Sequence, residues 1–210
     1  MANQEIGLFE AIYSQRAIRS YTTEPVSEET LRRIIEAGTK APSGGNRQPW
    51  AFVAVTDSGA IATIATHAKA QFAPMYDRAV ANLKPGDEPP FPRLKPLVDK
   101  FETVTAVIFP CLVQPEGSTD PPSTGASSIF PAVQNMLLAA RGLGVGAVLT
   151  TLALRDPGPV KELLGLPENV HPLALIPLGY PDKERYGKTT RKPLSEVAHW
   201  NRWGNLDGGG

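Results

Sequence analysis

The chain alternates segments of helical period with continuous apolar runs, separated by loops rich in proline and glycine. Ile6, Phe9, Ile12 and Tyr13 recur at helical spacing, predicting a short amphipathic helix with Glu5 and Glu10 on its solvent side. Ser27, followed by Glu28 and Glu29, predicts the capped start of a second helix whose inner stripe is Leu31, Ile34, Ile35 and Gly38. Pro42 closes that helix. The apolar run 50–56 predicts a strand buried on both faces. Ser58 caps a further helix through Ile61, Ile64, Ala65 and Ala68. Over 71–100 the period fades, and Met75, Tyr76 and Phe91 stand among charges and prolines. A segment of that length predicts a lid or wall over a site, the alternative being an ornamental insertion.

The second half repeats the pattern. Residues 103–113 predict a second strand, and 129–141 a helix with Val133, Met136, Leu137 and Ala140 on one stripe. Residues 146–151 predict a third strand. Pro157 suits a helix's first turn, Leu163 and Leu164 face inward, and Gly165 ends the helix. A fourth strand over 173–178 closes at Gly179-Tyr180-Pro181. The tail 188–210 sets Trp200 and Trp203 in polar surroundings, which predicts an arm packed on something else, a partner subunit. By alternation alone, strands and helices in this order suggest a doubly wound parallel sheet.

Composition narrows the classes. At 210 residues the length fits one domain spanning 1–210. Lys plus Arg and Asp plus Glu each number 21, so there is no electrostatic reason to expect nucleic acid or an anionic membrane. No apolar run reaches the roughly 20 residues of a membrane span, and Met1–Glu5 has neither the basic nor the apolar region of a signal peptide. The single Cys111 precludes an internal disulfide and, within an apolar run, reads as a buried thiol. The expectation is a cytoplasmic protein.

Several chemistries find no support. His67, His171 and His199 are far apart without metal spacing. Ser43 is in no G-x-S-x-G elbow, and no P-loop is present. Gly142-Leu143-Gly144-Val145-Gly146-Ala147 resembles a dinucleotide fingerprint, but a helix precedes it and a strand follows, the reverse of what that motif needs.

The most distinctive stretch is Ala41-Pro42-Ser43-Gly44-Gly45-Asn46-Arg47-Gln48-Pro49-Trp50, a helix stop, a polar glycine-bearing loop and a strand start. Such a loop offers close backbone approach and amides that both donate and accept, as a flat heterocycle with a polar edge requires. An ordinary surface connection has the same composition. Arg16 and Arg19, three apart, either converge on one anion or are two solvated cations.

Pro42-Ser43-x-x-Asn46-x-Gln48-Pro49-Trp50, preceded by Arg16-Ala17-Ile18-Arg19-Ser20-Tyr21 and Glu24-Pro25-Val26, resembles the signature of the nitroreductase family of FMN-dependent NAD(P)H oxidoreductases. The likeness runs from about Phe9 to Leu194. It implies an α+β fold with a mixed, mainly antiparallel sheet flanked by helices. It also implies an intertwined homodimer with FMN at the interface, residues 71–100 as lid and 188–210 as dimer arm. On this resemblance Arg16, Arg19 and Arg191 meet the cofactor phosphate and the N1–O2 edge. Gln15 and Ala17 stand beside them, Asn46 faces the ring with Pro42 and Ser43 lining it, and the backbone of Leu149, Thr150 and Thr151 lies at N5. Here Ala17 replaces the family's usual serine and Gln15 its leading arginine. Hydride would pass from NAD(P)H to the flavin and then to a small acceptor, a nitroaromatic or quinone, in ping-pong order. Other readings are a reductive dehalogenase of the iodotyrosine type, a flavin-storage protein without turnover, and an enzyme that fragments reduced FMN. The Thr150-Thr151 pair resembles the dehalogenase branch.

Overall fold

The computed structural model describes residues 6–119, 121–182 and 186–206; the expectations placed on Met1–Glu5 and on the last four residues of the arm lie outside them. The fold is organised on strand β2 (Ala106–Val113), whose side chains alternate between two apolar cores as a period of two requires. Val107, Phe109 and Cys111 join the core built with helix α3 (Ser58–Ala81) and helix α4 (Lys95–Asp99). Ala106, Ile108 and Leu112 join the core built with helix α2 (Glu28–Thr39) and helix α5 (Pro122–Gly142). Helices therefore cover both faces of the sheet.

The sheet is antiparallel at every described pairing, which overturns the parallel arrangement suggested by alternation and agrees with the α+β fold implied by the resemblance. Its order is β1 (Trp50–Val55), β2, β5 (Ile176–Gly179), β3 (Gly146–Ala147), with β4 (Val170–Pro172) pairing β2. The expectation that 50–56 is buried on both faces fails. β1 is an edge strand, mostly half-buried with Ala54 exposed, because among the described residues β2 alone pairs with it. The third strand is also shorter than predicted, ending at Ala147 and resuming as a single bridge from Thr150 to Leu175.

Ser27 caps α2 as expected, its hydroxyl accepting from the Thr30 amide at 3.2 Å. The cap of α3 is Asp57 rather than Ser58, with its carboxylate accepting from Ala60 at 2.7 Å. α3 also runs on to Ala81 through Pro74, so part of the supposedly irregular 71–100 is helical. Tertiary packing overrides the proline: Phe72 is buried and meets Tyr76 and Phe91 edge on or tilted, with centroids 5.6 and 5.7 Å apart. The Gly142–Ala147 stretch is a helix end leading into a strand, with Gly144 at φ 74°. Helix α6 (Gly158–Leu163) follows Pro157.

Two apolar surfaces stay open. In helix α1 (Leu8–Ser14) only Ala11 is buried, while Phe9, Ile12 and Tyr13, read as its inward face, are exposed. In the arm, Leu194, Val197, Trp200 and Trp203 are exposed, and Trp203 stacks on His199, centroids 4.1 Å apart. Among the described residues no helix is long and apolar enough to cross a membrane.

Candidate functional site

α1 stops at Ser14, and the chain from Gln15 runs extended along the outer edge of β3. The Ile18 amide donates to the Ala147 carbonyl at 3.2 Å, Thr22 donates to Tyr180 at 2.8 Å, and Tyr21 bridges Pro181. The Tyr21 hydroxyl donates to the Ile18 carbonyl at 2.6 Å and reaches that of Pro177 at 3.2 Å. This strap fits because two strand residues are glycines. A Cβ on Gly146 would meet Ile18 Cγ2 at 2.7 Å, and one on Gly179 would meet Tyr21 Cβ at 2.8 Å. Ile18 is fully buried, so Arg16 and Arg19 flank a fixed anchor.

The strap forms one wall of a cleft of about 520 Å³, a size usual for a small-molecule site. Gln15, Arg16, Ala17 and Arg19 line it together with Leu149 and Arg191, joining six of the eleven residues singled out in the sequence. Lys188, Thr189 and Thr190 come in beside Arg191, and Arg93 enters from the segment between α3 and α4. Sequence reasoning did not find Arg93 or Lys188. Their only signal was a charge beside a proline or a matched arginine. Among the described residues five cations therefore meet in one cleft, and no described carboxylate lines it, on a chain of zero net charge. Among the described residues no ion pair engages Arg16, Arg93, Lys188 or Arg191. Such an arrangement repels itself unless an anion is present, and guanidinium forks with nearby hydroxyls match a phosphate.

The strand geometry also selects a backbone donor. Thr150 exchanges both backbone bonds with Leu175, at 3.0 and 2.9 Å, and its hydroxyl accepts from the Leu152 amide at 3.2 Å. Its amide is therefore spent inside the sheet. With a period of two, Leu149 presents its N–H to the same outer edge that Ala147 presents its carbonyl. The amides of Leu149 and of exposed Thr151 donate to no backbone carbonyl among the described residues, and Leu149 lines the cleft.

Pro42, Ser43 and Asn46 lie elsewhere. Their loop is held by a Gly44 amide donating to Ser128 at 3.2 Å and a Gln48 amide donating to Ser43 at 3.0 Å, with Asn46 at φ 53° and its carboxamide oxygen accepting from Gln48 Nε2 at 3.3 Å. The register pairs Trp50 with Leu112, whereas Ala147 sits across β5 from Ala106. Those positions are six residues apart on β2, about 20 Å. Within one chain the polar loop and the cationic cleft are separate.

An antiparallel α+β sheet carrying an arginine-lined cleft at its edge defines an anion-binding class. Comparison makes the class specific. The model of the nitroreductase family matches residues 12–180, and the chain belongs to that family. It is 33% identical over 201 residues to the NADH dehydrogenase of Thermus thermophilus, covering 90% of this chain and 94% of that one. It is 30% identical over 200 residues to the FMN reductase [NAD(P)H] of Bacillus subtilis, covering 95% and 76%. Among solved structures, the NADPH:FMN oxidoreductase of Vibrio harveyi complexed with NAD+ superimposes with a TM-score of 0.70 at 29% identity, covering 93% of this chain and 77% of that one.

Proposed function

We propose that the chain is an FMN-dependent oxidoreductase that moves hydride from NAD(P)H to a small acceptor, a nitroaromatic or quinone, with donor and acceptor occupying the same space in turn. The observation that carries this reading is the five-cation cleft at the edge of β3. The names of the related FMN reductase and of the NAD+-bound oxidoreductase support it. FMN, when bound, supplies the hydride-accepting ring. Arg16, Lys188 and Arg191 hold its phosphate, with Thr189 and Thr190 hydroxyls at hand. Arg19 faces the ring edge that gains negative charge, a fixed charge placed in advance. The Leu149 amide, rather than that of Thr150, would supply a backbone donor to the ring, since the Thr150 amide is spent on Leu175. Gln15 bonds the polar chain or the carbonyl edge. In the balanced reaction NAD(P)H and one proton reduce a quinone to a hydroquinone, and no side-chain nucleophile is called for.

The working unit on this reading is a homodimer. A second copy brings its Pro42, Ser43 and Asn46 to the cleft, and the exposed apolar side chains of α1 and the arm are the surface it covers. The segment 71–100 walls the site as a lid, and the buried, reduced Cys111 suits the cytoplasm. Sedimentation of the wild type against a Phe9→Asp, Trp203→Lys double variant tests the dimer, which predicts a fall to monomer mass with loss of FMN. The functional test is the visible spectrum under anaerobic NADPH, then NADH. Bleaching that a quinone or nitroaromatic reverses is expected. A purified protein that takes up no FMN refutes the proposal.

A further inference from the structure

Arg141 stands in the last turn of α5, one turn beyond Leu137, which lines the cleft. A cation there suits the negative end of a helix and ordinarily lies in water. This side chain is only 15% exposed. Its Nε donates to the Ser14 hydroxyl at 2.8 Å, and that hydroxyl spends its own proton on the Glu10 carbonyl at 2.6 Å. Nη2 pairs with the Glu10 carboxylate at 3.5 Å. The guanidinium carbon lies over the Tyr186 ring, 4.3 Å from the centroid. Tyr186 stays there without help from its hydroxyl, which is buried and finds no hydrogen-bond partner among the described residues.

These partners head the two walls of the cleft. Ser14 precedes Gln15 and Arg16 of the strap, and Tyr186 and Gly187 precede Lys188 of the arm. The walls also run side by side: the Asp182 amide donates to the Ser20 carbonyl at 3.1 Å, and the Gly187 amide to that of Ser14 at 3.3 Å. Arg16 from one wall and Lys188 and Arg191 from the other bring like charges into one cleft, which push apart until an anion lies between them. A group tying both walls to a helix holds the cleft ready, and a preformed site binds more tightly because less ordering remains to be done. We propose that Arg141, outside the cleft lining, is a positioning residue for the phosphate site, clamping the strap through Ser14 and the arm through Tyr186 onto α5. The proposal rests on the flavin reading of the cleft. Arginine suits the task, because its planar fork bonds at an edge while the group stacks on a ring, whereas the ammonium of lysine is a point charge.

The experiment measures FMN dissociation constants by flavin fluorescence, with urea midpoints alongside, for the full chain carrying Arg141→Met or Arg141→Lys. Each is made in the wild-type, Arg16→Ala and Arg191→Ala backgrounds. Arg141→Met should weaken FMN about tenfold in the wild type, the scale of one charge-assisted contact. The loss should be distinctly smaller in both other backgrounds, because a residue acting through Arg16 and Arg191 couples to each. Arg141→Lys should recover only part of it. Unchanged affinity, an equal loss in all three backgrounds, a loss that shrinks in one background alone, or full recovery with lysine overturns the proposal. If Arg141→Met does not fold, Ser14→Ala and Tyr186→Leu open the clamp one side at a time. The Ser14 variant should then couple more strongly to Arg16→Ala, and the Tyr186 variant more strongly to Arg191→Ala; any other order overturns the proposal. A wild type that binds no FMN overturns the flavin reading itself and this one with it, a result distinct from the others.

Discussion

Replacing Gly146 with alanine puts a methyl group where the strap already lies. The new Cβ would stand 2.7 Å from Ile18 Cγ2, 3.0 Å from Ile18 Cβ and 3.1 Å from the Gly179 carbonyl oxygen. Restoring an ordinary 3.4 Å contact requires Ile18 to retreat by about 0.7 Å, and Ile18 is fully buried. Overpacking of this kind costs about 1–3 kcal/mol. At about 2 kcal/mol, a chain of this length loses roughly 4–8 °C in Tm. Since Arg16 and Arg19 flank Ile18, FMN affinity should fall as well, by about tenfold for a charge-assisted contact stretched rather than lost. Thermal melts and FMN titrations at fixed protein concentration read both effects. Gly142→Ala is the control, because its nearest neighbour would be Ile6 Cγ1 at 4.0 Å. Ile18→Ala removes Cγ2, so combining it with Gly146→Ala should show a favourable coupling of about 1 kcal/mol. A Gly146→Ala protein with wild-type Tm and FMN affinity would mean the strap is not seated on β3, and the account of the cleft would fail.

Three further outcomes are expected. Arg191→Ala should weaken FMN binding by about 1.5–3 kcal/mol, read as flavin fluorescence on titrating apoprotein; unchanged affinity would remove Arg191 from the phosphate site. Burial pushes the Cys111 thiol up to about 12, so the folded chain keeps a proton that the unfolded chain releases near pH 8.5. Stability from this group is full below that pH and falls as pH rises toward 12, by up to about 1.4 kcal/mol per pH unit. Cys111→Ala should flatten the decline in urea midpoint between pH 8 and pH 10, and parallel declines in both proteins would contradict it. Asp57→Ala should destabilise α3 by about 1 kcal/mol as measured by urea unfolding, whereas Ser58→Ala should stay within about 0.5 kcal/mol; the reverse ranking would restore Ser58 as the cap.

Much of this protein follows from order along the chain alone. Local rules suffice for the Ser27 cap, the α5 stripe of Val133, Met136, Leu137 and Ala140, the rejection of the glycine fingerprint, and Gly165 as a helix stop, because each depends on neighbours within a turn or two. The family signature at Pro42–Trp50 and Arg16–Arg19 is equally legible, since a motif is a property of sequence. Only tertiary structure decided the rest. Edge or centre cannot be read from an apolar run, so β1 looked buried until the sheet left it with a single neighbour. The start of 71–100 looked irregular until α3 ran on to Ala81 with Phe72 packed against Phe91. Which of Leu149 and Thr150 offers a free amide depends on a bridge to Leu175, 25 residues away. Arg93 and Lys188 join Arg16, Arg19 and Arg191 only because the chain folds back on the edge of β3, and charge at a point in space is a sum over residues that sequence keeps apart.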